Sequence, residues 1–530
     1  MTKKTFVAAV VFAMLALAPG LGNAANLTVG ARAEAAVDPH FLYVSTNIAY
    51  SRHLFDGLTL KDANAQPMAG LATSWKSLDE KTWEFKLRQG VKFHDGSDFT
   101  ADDVIFTFNR VPNIPNNPNP YTPNMRSVAG IEKVDSHTIK ITTKAPDPVL
   151  PATIAGIFIV SHTAAKDALP ADFRSGKAAI GTGPYKFVSF TPGDRMVLAR
   201  NDSYWGGKEP WEGVTFRFMS NDAARMAALL AGDVDMVGDV PPGDVGRLQR
   251  DPNVTIFKRP SDRIIYMIMD VLRDSSPDIT DKDGKPLAKN PLKDPRVRKA
   301  LSMAINRDLI VEKVMEGLAT PASQLVVEGI LGHNSDLKVD TYDPAAAKKL
   351  LAEAGWPDGF GLTVRGPNNR YVNDGKICEA LGQMLAKIGL KVKVETEPLN
   401  VYFPKIKVSD QLKTVKYSFM MMGWGFSGTG ESSQFMNTVL HSYNKARRFG
   451  PGNRSGYVDA KLDKMIEDAV MTFDRSDREQ KLKDAIAYVT DVRFAIPLHY
   501  QVVVVGARKN VTVTPRVDEM LLAMEAKPAK

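Results

Sequence analysis

The residues of this chain that could act in catalysis do not combine into a working pattern. Gly425-Phe426-Ser427-Gly428-Thr429 resembles the turn that presents the nucleophilic serine of many hydrolases, but Thr429 stands where that turn requires glycine. Ser335 and Lys338 have the spacing of a Ser-x-x-Lys motif, yet the sequence contains no Lys-Thr-Gly partner for it. No Gly-Lys pair is followed by Ser or Thr, so no phosphate-binding loop is predicted. We therefore expect a protein without catalysis of its own.

Residue types that bind metals are also scattered. The eight histidines form no His-Glu-x-x-His motif and no cluster with cysteine. The single cysteine, Cys378, lies in a predicted helix, cannot form an internal disulfide and is expected to be an inert core residue. We predict no metal bound by protein ligands and no cofactor.

Length and charge limit the class of protein. A chain of 530 residues is expected to form two or three domains. The net charge is +8, but the 68 basic residues form no run of five or more, whereas a nucleic-acid-binding protein usually has a basic stripe or tail. We therefore expect no nucleic-acid partner.

The amino terminus has the pattern of an export signal. Lys3 and Lys4 precede an apolar run from Phe6 to Ala18, and small residues follow, with a cleavage site predicted after Ala24 or Ala25. The apolar run is too short to span a bilayer, and no other segment approaches 18 consecutive apolar residues. We predict that residues 1–25 are a signal peptide, that the mature chain does not insert into a membrane, and that it resides in a Gram-negative periplasm.

Hydrophobic periodicity predicts a mixed α/β chain. Thr82 to Arg88 alternates polar and apolar residues, which indicates a strand, and Thr100 with Asp103 forms a capping box before an apolar helix. The segment Val111–Pro123 contains five prolines and is predicted to be an exposed loop. Further helix starts are predicted at Ser220, Asp294-Pro295, Asp343-Pro344 and Ser476, and further strands at Val234–Val237, Lys391–Glu395 and Tyr417–Met422. Such α/β layers place ligand sites in loops between lobes.

A series of short blocks in a fixed order carries the most specific information. The blocks are Leu71–Trp75, Trp83–Arg88, Gly90–Gly96, Thr100–Val104, Gly181–Tyr185, Tyr204-Trp205, Ala231–Asp235, Arg296–Ala300, Tyr342–Pro344 and Gly423-Trp424. Over nearly the whole mature chain they resemble the family 5 extracellular solute-binding proteins, the group that contains dipeptide-, oligopeptide- and nickel-binding proteins. A chance match of so many blocks in order is not credible.

This resemblance implies the type II periplasmic-binding-protein fold in its large, three-domain version. Two lobes close around a ligand cleft, and an extra domain is inserted in one of them. On this basis we expect the first lobe at residues 26–54, 180–268 and 491–530, the extra domain at 55–179 and the second lobe at 269–490.

The function implied is that of the substrate-binding component of an ABC importer. The protein would be a monomer that captures a small polar ligand, most simply a short peptide, and delivers it to permease subunits that work with a separate ATPase. The same role for an opine, an oligosaccharide or a metal chelate is the alternative, because fold alone does not fix the ligand. A periplasmic chaperone or hydrolase is the remote alternative.

The loop after Gly423-Trp424 is the first candidate site. Dipeptide-binding relatives carry an Asp a few residues after this pair, where it binds the ammonium of the peptide, but here that position is Ser427 and the nearest acid is Glu431. A serine cannot supply the charged acceptor that an ammonium requires. Either Glu431 takes this role or the ligand is not an ordinary dipeptide. Trp424 is predicted to form a wall of the cleft.

Two further loops supply the remaining candidates. Asn369, Arg370 and Tyr371 lie between a predicted strand and a helix, where Arg370 could bind a carboxylate or phosphate and Tyr371 could form a wall. Glu34 and Phe41 lie in the loop near the mature amino terminus.

Overall fold

The computed structural model describes residues 26–408 and 415–529. The predicted signal peptide, residues 1–25, lies outside the described residues. Among the described helices, none is both long enough and apolar enough to cross a membrane.

Strands and short helices alternate through most of the chain. The strands are β1 (Asn26–Ala31), β2 (Thr59–Lys61), β3 (Pro67–Ala69), β4 (Ala72–Ser77), β5 (Thr82–Leu87), β6 (Val128–Asp135), β7 (Thr138–Thr143), β8 (Tyr185–Thr191), β9 (Arg195–Arg200), β10 (Gly213–Phe218), β11 (Met236–Val237), β12 (Val254–Met269), β13 (Ile279–Thr280), β14 (Ala319–Pro321), β15 (Gly361–Pro367), β16 (Lys391–Glu397), β17 (Phe419–Gly425), β18 (Ala495–Arg508), β19 (Val511–Val513) and β20 (Ala526–Pro528). The α-helices are α1 (Ser45–Leu54), α2 (Ala101–Arg110), α3 (Leu150–Thr153), α4 (Pro170–Arg174), α5 (Asp222–Ala231), α6 (Pro242–Arg250), α7 (Pro295–Met303), α8 (Arg307–Leu309), α9 (Pro344–Glu353), α10 (Asp374–Ala386), α11 (Leu399–Lys405), α12 (Ser433–Phe435), α13 (Ala460–Met471) and α14 (Arg475–Val492).

One twelve-stranded sheet runs through both lobes of the molecule. The long antiparallel strands β12 and β18 are hydrogen-bonded to each other and belong to both halves of this sheet. The first half of β12 pairs with the second half of β18 in the first lobe, and the remaining halves pair in the second lobe. The pairing is irregular between Pro260 and Ile264. Because a bulge bends and loosens a strand pair, this junction is where a rotation of the lobes would be absorbed.

The sheet of the first lobe is parallel at its centre. β1 lies between β10 and β11 and is parallel to both, and β9 and β8 continue the sheet in antiparallel order. Leu27, Val29 and Phe216 are fully or almost fully buried in its core, together with Ala507 from β18. The mature amino terminus, the middle of the chain and the carboxyl-terminal segment therefore share one core.

The sheet of the second lobe is covered on both faces. β15 lies parallel to β16 and β17. Because side chains alternate along a strand, Ile265 and Met267 of β12 enter the core with α7, α9 and α10, whereas Ile264 and Tyr266 enter the core with α13 and α14. Cys378 is buried and free in the first of these cores, as predicted.

A separate four-stranded antiparallel sheet forms the core of the extra domain with α2. Trp83, Phe85 and Leu87 of β5 point into this core, which confirms the predicted alternation. Residues 157–160 contact two cores in alternation: Phe158 and Val160 pack in the core of the first lobe, and Ile157 and Ile159 pack in that of the extra domain. The domain boundaries given above stay a prediction.

Most of the helix starts predicted from capping residues are confirmed. Thr100 and Asp103 form the capping box of α2, and Asp294 and Asp343 cap α7 and α9, each with proline at the first helical position. Asp343 accepts from the backbone N–H of Ala346 in this way.

Four local predictions need correction. Asn221, not Ser220, caps α5, because the Asn221 side chain accepts from the N–H of Ala224. Asp474, not Ser476, caps α14 in the same way, so this helix begins earlier than predicted. The strand predicted from Val234 is reduced to Met236–Val237. The segment Val111–Pro123 is not exposed throughout, because Val111 and Tyr121 are buried in the core of the extra domain.

Candidate ligand-binding site

The carboxyl ends of the parallel strands from both lobes meet at the junction of the lobes. β11 and its parallel neighbour β1 run opposite to β18, and β17 runs opposite to β12. Since β12 and β18 cross the junction in opposite directions, β1, β10 and β11 end facing the second lobe, and β15 and β17 end facing the first. Ligands of open α/β sheets bind beyond the carboxyl ends of the strands. We call the ends of β1, β10 and β11 the rim of the first lobe and the ends of β15 and β17 the rim of the second lobe. The two rims and the junction between them form the candidate site.

The rim of the first lobe encloses a cavity of about 80 Å³. Its walls come from the ends of β1 and β10, the first residues of α1, the turn after β11 and residues 519–521. Tyr50 and Phe216 form an edge-to-face aromatic pair in the wall, with ring centroids 5.0 Å apart. Arg32, Asp239 and Glu519 are the charged residues of the lining. The cavity thus combines an apolar wall with both signs of charge.

Glu519 is held at the junction by several donors. Its Oε1 accepts from Ser261 Oγ at 2.9 Å and from Gln501 Nε2 at 2.8 Å. The guanidinium of Arg263 contacts the same carboxylate, with Nη2 2.7 Å from Oε2. These donors lie on β12 and β18, so Glu519 joins the cavity of the first lobe to the connecting strands. Hydrogen bonds to an ionised group are stronger than those between neutral groups, and this carboxylate is therefore firmly positioned.

The rim of the second lobe contains Trp424 and Ser427. Trp424 is half-buried at the end of β17, with its ring 5.5 Å from that of Phe435. The Ser427 side chain hydrogen-bonds to Asp262 of the junction. The Ser427 carbonyl accepts from Nζ of Lys61 at 2.5 Å, and the Gly428 carbonyl accepts from the same ammonium at 2.7 Å. A lysine of β2 therefore reaches across to the loop that carries the predicted site.

Asp262 is buried and Lys61 is half-buried, both in surroundings that disfavour charge. Burial, with the nearby charge of Glu519, raises the pKa of Asp262 to about 8, and its Oδ2 has no hydrogen-bond partner among the described residues. Burial lowers the pKa of Lys61 to about 8. Desolvation disfavours the charged form of each group, and for this reason the two pKa values move in opposite directions.

Glu431 is buried and paired with a cation of the second lobe. Its Oε2 lies 3.1 Å from Nε of Arg478, and the two side chains are 5% and 9% exposed. Burial raises the pKa of the Glu431 carboxyl, and the charge of Arg478 opposes that rise. Glu431, the nearest acid after Trp424 in the sequence, is therefore part of an internal ion pair.

The loop after β15 contacts the end of β17. Tyr371 is buried, and its hydroxyl accepts from the N–H of Gly423 at 2.9 Å. Asn369 is exposed and accepts from the N–H of Leu399 at 2.8 Å. Arg370 is exposed, with its guanidinium 5.0 Å from the Tyr371 ring centroid. The structure thus brings the two predicted loops of the second lobe together.

Glu34 and Phe41 lie on the first lobe but do not line the cavity. Glu34 is exposed, and its Oε2 accepts from the N–H of Gly193 at 2.9 Å. Phe41 is half-buried, and its carbonyl accepts from Nδ2 of Asn47 at 2.9 Å.

Several charged residues of the site were missed from the sequence, among them Arg263, Asp239 and Glu519. Arg263 had a detectable signal, because Ser261-Asp262-Arg263 interrupts the apolar pattern of a long strand. Asp239 follows a predicted strand, at the kind of position where α/β proteins bind ligands. Glu519 carried no signal, since its partners on β12 lie more than 250 residues away. Among residues 26–408 and 415–529, no group of three or more His, Cys, Asp or Glu could hold a metal ion.

Known proteins resemble this chain in sequence over most of its length. Residues 66–447 match the family described as bacterial extracellular solute-binding proteins, family 5 Middle. The dipeptide-binding protein of Escherichia coli (strain K12) is 27% identical over 484 residues, which cover 85% of this chain and 84% of that protein. Heme-binding protein A of Haemophilus influenzae is also 27% identical, over 86% of this chain and 83% of that protein.

Solved structures share the fold. HbpA2 from Haemophilus parasuis superposes with a TM-score of 0.78 and 24% identity, over 95% of this chain and 100% of that one. DppA from Helicobacter pylori, in complex with the peptide STSA, superposes with a TM-score of 0.74 and 23% identity, over 96% of this chain and 98% of that one. The predicted α/β fold with two lobes around a cleft is thereby confirmed.

Proposed function

The chain belongs to the bacterial extracellular solute-binding proteins of family 5, and from this premise we propose that it is the periplasmic receptor of an ABC importer for short peptides. The observation that carries the proposal is the meeting of two carboxyl-end rims across the connecting strands β12 and β18. A ligand held between such rims contacts both lobes at once, so its binding favours the closed arrangement.

Closure couples ligand capture to transport. A ligand shifts the balance towards the closed form by its difference in affinity for the closed and open forms, and the permease need recognise only the closed form. Polar groups of the ligand are buried on closure, and each one left without a partner costs about 1–3 kcal/mol. The charged and aromatic lining described above supplies such partners. The receptor itself needs no catalytic step.

A peptide is the ligand class best supported by the relatives. The Escherichia coli relative is named for dipeptides, and the Helicobacter pylori structure contains a peptide. The Haemophilus influenzae relative is named for heme, which makes a non-peptide ligand the second candidate. Opines, oligosaccharides and metal chelates belong to the same alternative.

The cellular setting is part of the proposal. We infer export by the signal peptide at residues 1–25, residence in the periplasm as a monomer, and delivery to a permease with a separate ATPase. We also propose the division into a first lobe (26–54, 180–268 and 491–530), an extra domain (55–179) and a second lobe (269–490). Within it we propose ligand contacts from Trp424, Ser427, Asn369, Arg370, Tyr371, Glu34 and Phe41.

A thermal-shift screen tests the proposed function. The purified mature protein is exposed to di- to tetrapeptides, opines, oligosaccharides, heme and chelated nickel. A true ligand at 100 times its dissociation constant adds about 2.7 kcal/mol of stability. We expect peptides to give this shift, and Trp424→Ala to remove most of it. A shift given only by non-peptide ligands would replace the peptide proposal with the alternative.

Trp356→Ala is the matched control for this variant. Trp356 is a partly buried tryptophan that packs on Phe360 beside α9, away from both rims. Its loss should lower the melting temperature of the free protein without changing the ligand-induced shift. If Trp424→Ala behaves in the same way, Trp424 is a core residue and not a wall of the cleft.

A further inference from the structure

Asp239 lies in the cavity of the first lobe with no cation bound to its carboxylate. It is the second residue after β11 and lines the cavity beside Gly238 and Glu519. Among the described residues, no side chain donates a hydrogen bond to its carboxylate and no ion pair reaches it within 4.0 Å. This separates Asp239 from Glu519, which Arg263 neutralises at 2.7 Å.

The charged groups around Asp239 are bound elsewhere. Arg225 is fully buried, and its Nη2 lies 2.7 Å from Asp222 Oδ1. The same Nη2 reaches only the backbone carbonyl of Asp239, at 3.4 Å. Arg32 is 45% exposed and lies 3.9 Å from Asp222. Arg225 and Arg32 therefore lie near the Asp239 carboxylate, but neither guanidinium is in contact with it.

The surroundings of Asp239 favour a cation from outside the chain. Asp239 is an exposed residue, but the surrounding protein displaces part of the hydration of its carboxyl, and this desolvation, together with the charge of Glu519, raises the pKa of that carboxyl. A bound ammonium or guanidinium would remove that cost by supplying charge-assisted hydrogen bonds. Tyr50 and Phe216 form the apolar wall of the same cavity.

The backbone at Asp239 is held in a conformation that few residues adopt. Its φ is 51°, and its carbonyl accepts from the buried Arg225. Aspartate and asparagine adopt left-handed backbone more readily than most residues other than glycine. The turn at Asp239 is thus one that its own residue type suits, and Arg225 contacts its carbonyl.

We propose that Asp239 receives the cationic group of the ligand, an ammonium or a guanidinium, in the cavity of the first lobe. The inference rests on the proposed function, because it assigns one residue of the receptor to one end of the ligand. It also locates the recognition of positive charge on the first lobe, at a distance in sequence from Trp424. Glu431 is already paired with Arg478, so the binding of the ligand's cationic group falls to another acid.

Calorimetric titration of the wild type and of Asp239→Asn tests the inference. Three probes are used: trialanine, N-acetyl-trialanine and agmatine, which carries cations but no peptide bond. Asparagine tolerates left-handed backbone as aspartate does, so the variant removes the charge and keeps the turn. We expect trialanine to bind the variant at least 30-fold more weakly than the wild type, and N-acetyl-trialanine to bind the wild type at least 30-fold more weakly than trialanine.

Asp233→Asn is the matched control, because Asp233 is an exposed acid on the same lobe that does not line the cavity. It should change the dissociation constants less than threefold, and both variants should melt like the wild type without probe. If Asp239→Asn binds trialanine within threefold of the wild type, or if acetylation has no effect, the inference is overturned while the peptide receptor stands.

The agmatine probe separates the inference from the proposed function. Binding of agmatine alone, lost in Asp239→Asn, would support the cation site and count against a peptide ligand. A wild type that binds none of the three probes would overturn the inference and remove the support for peptides at once.

Discussion

The two rims lie at corresponding positions in the sheet, but an acid at one rim lacks a cation in contact and an acid at the other is paired with one. On the first lobe, Asp239 faces a cavity with no cation in contact. On the second lobe, Glu431 is buried against Arg478. The carbonyls of Ser427 and Gly428 likewise accept from Lys61 of β2. The acid that the sequence offered near Trp424 thus has its counter-charge inside the second lobe, whereas Asp239 has none in contact among the described residues.

Two acids at the junction, Glu519 and Asp262, also differ in whether a cation contacts them. Glu519 and Asp262 both lie beside Arg263, but only Glu519 has the guanidinium in contact, together with Ser261 and Gln501. Asp262 is 2% exposed, and one of its carboxylate oxygens has no partner among the described residues. Contact with the guanidinium thus distinguishes Glu519 from Asp262, for which burial dominates.

The largest expected effect comes from breaking the Glu431–Arg478 pair. Arg478→Met removes the guanidinium and leaves a buried carboxylate uncompensated, which should lower the free energy of unfolding by about 4 kcal/mol. Urea denaturation measures this change. Lys481→Met, which removes an exposed cation 2.8 Å from Asp477, is the control and should cost less than about 1 kcal/mol. An equal decrease in the free energy of unfolding for the two variants would mean that Arg478 does not stabilise the Glu431 carboxylate.

The sequence predicted those parts of the fold that depend on neighbouring residues. The alternation in β5 and the caps at Thr100, Asp294 and Asp343 involve groups a few positions apart, and all of them are confirmed. The ion pairs that decide which acid is free join distant segments. Glu431 and Arg478 are 47 residues apart, and Arg263 and Glu519 are 256 apart. No local pattern specifies such pairs, so the predicted role of Glu431 could not be weighed from the sequence alone.

The second largest expected effect is a dependence of stability on pH that arises from Asp262. The pKa of Asp262 is raised from 3.8 to about 8 in the folded protein, so between these values the folded state holds a proton that the unfolded state has lost. Stability therefore falls as pH rises through this window, by about 1.4 kcal/mol per pH unit from this group. Asp262→Asn removes this loss, and the variant should gain about 3 kcal/mol over the wild type between pH 5 and pH 7.

Denaturation of both proteins at several pH values measures that gain. Asp233→Asn serves again as the control for loss of an exposed carboxylate, and its difference from the wild type should stay flat over the same range. A flat difference for Asp262→Asn as well would contradict the raised pKa of Asp262 in the folded state.

The smallest effect concerns the contact that closes the second rim. Lys61→Met removes the ammonium that binds the Ser427 and Gly428 carbonyls, and loss of these charge-assisted hydrogen bonds should cost about 2 kcal/mol. Because this contact joins β2 to the loop after β17, the free variant should also sample more open arrangements, seen as a larger radius of gyration in small-angle X-ray scattering. Lys76→Met, whose exposed ammonium lies 3.5 Å from Glu84, is the control. A variant as compact as the wild type would mean that the second rim is held without Lys61, and that the contact from β2 is not what distinguishes the two rims.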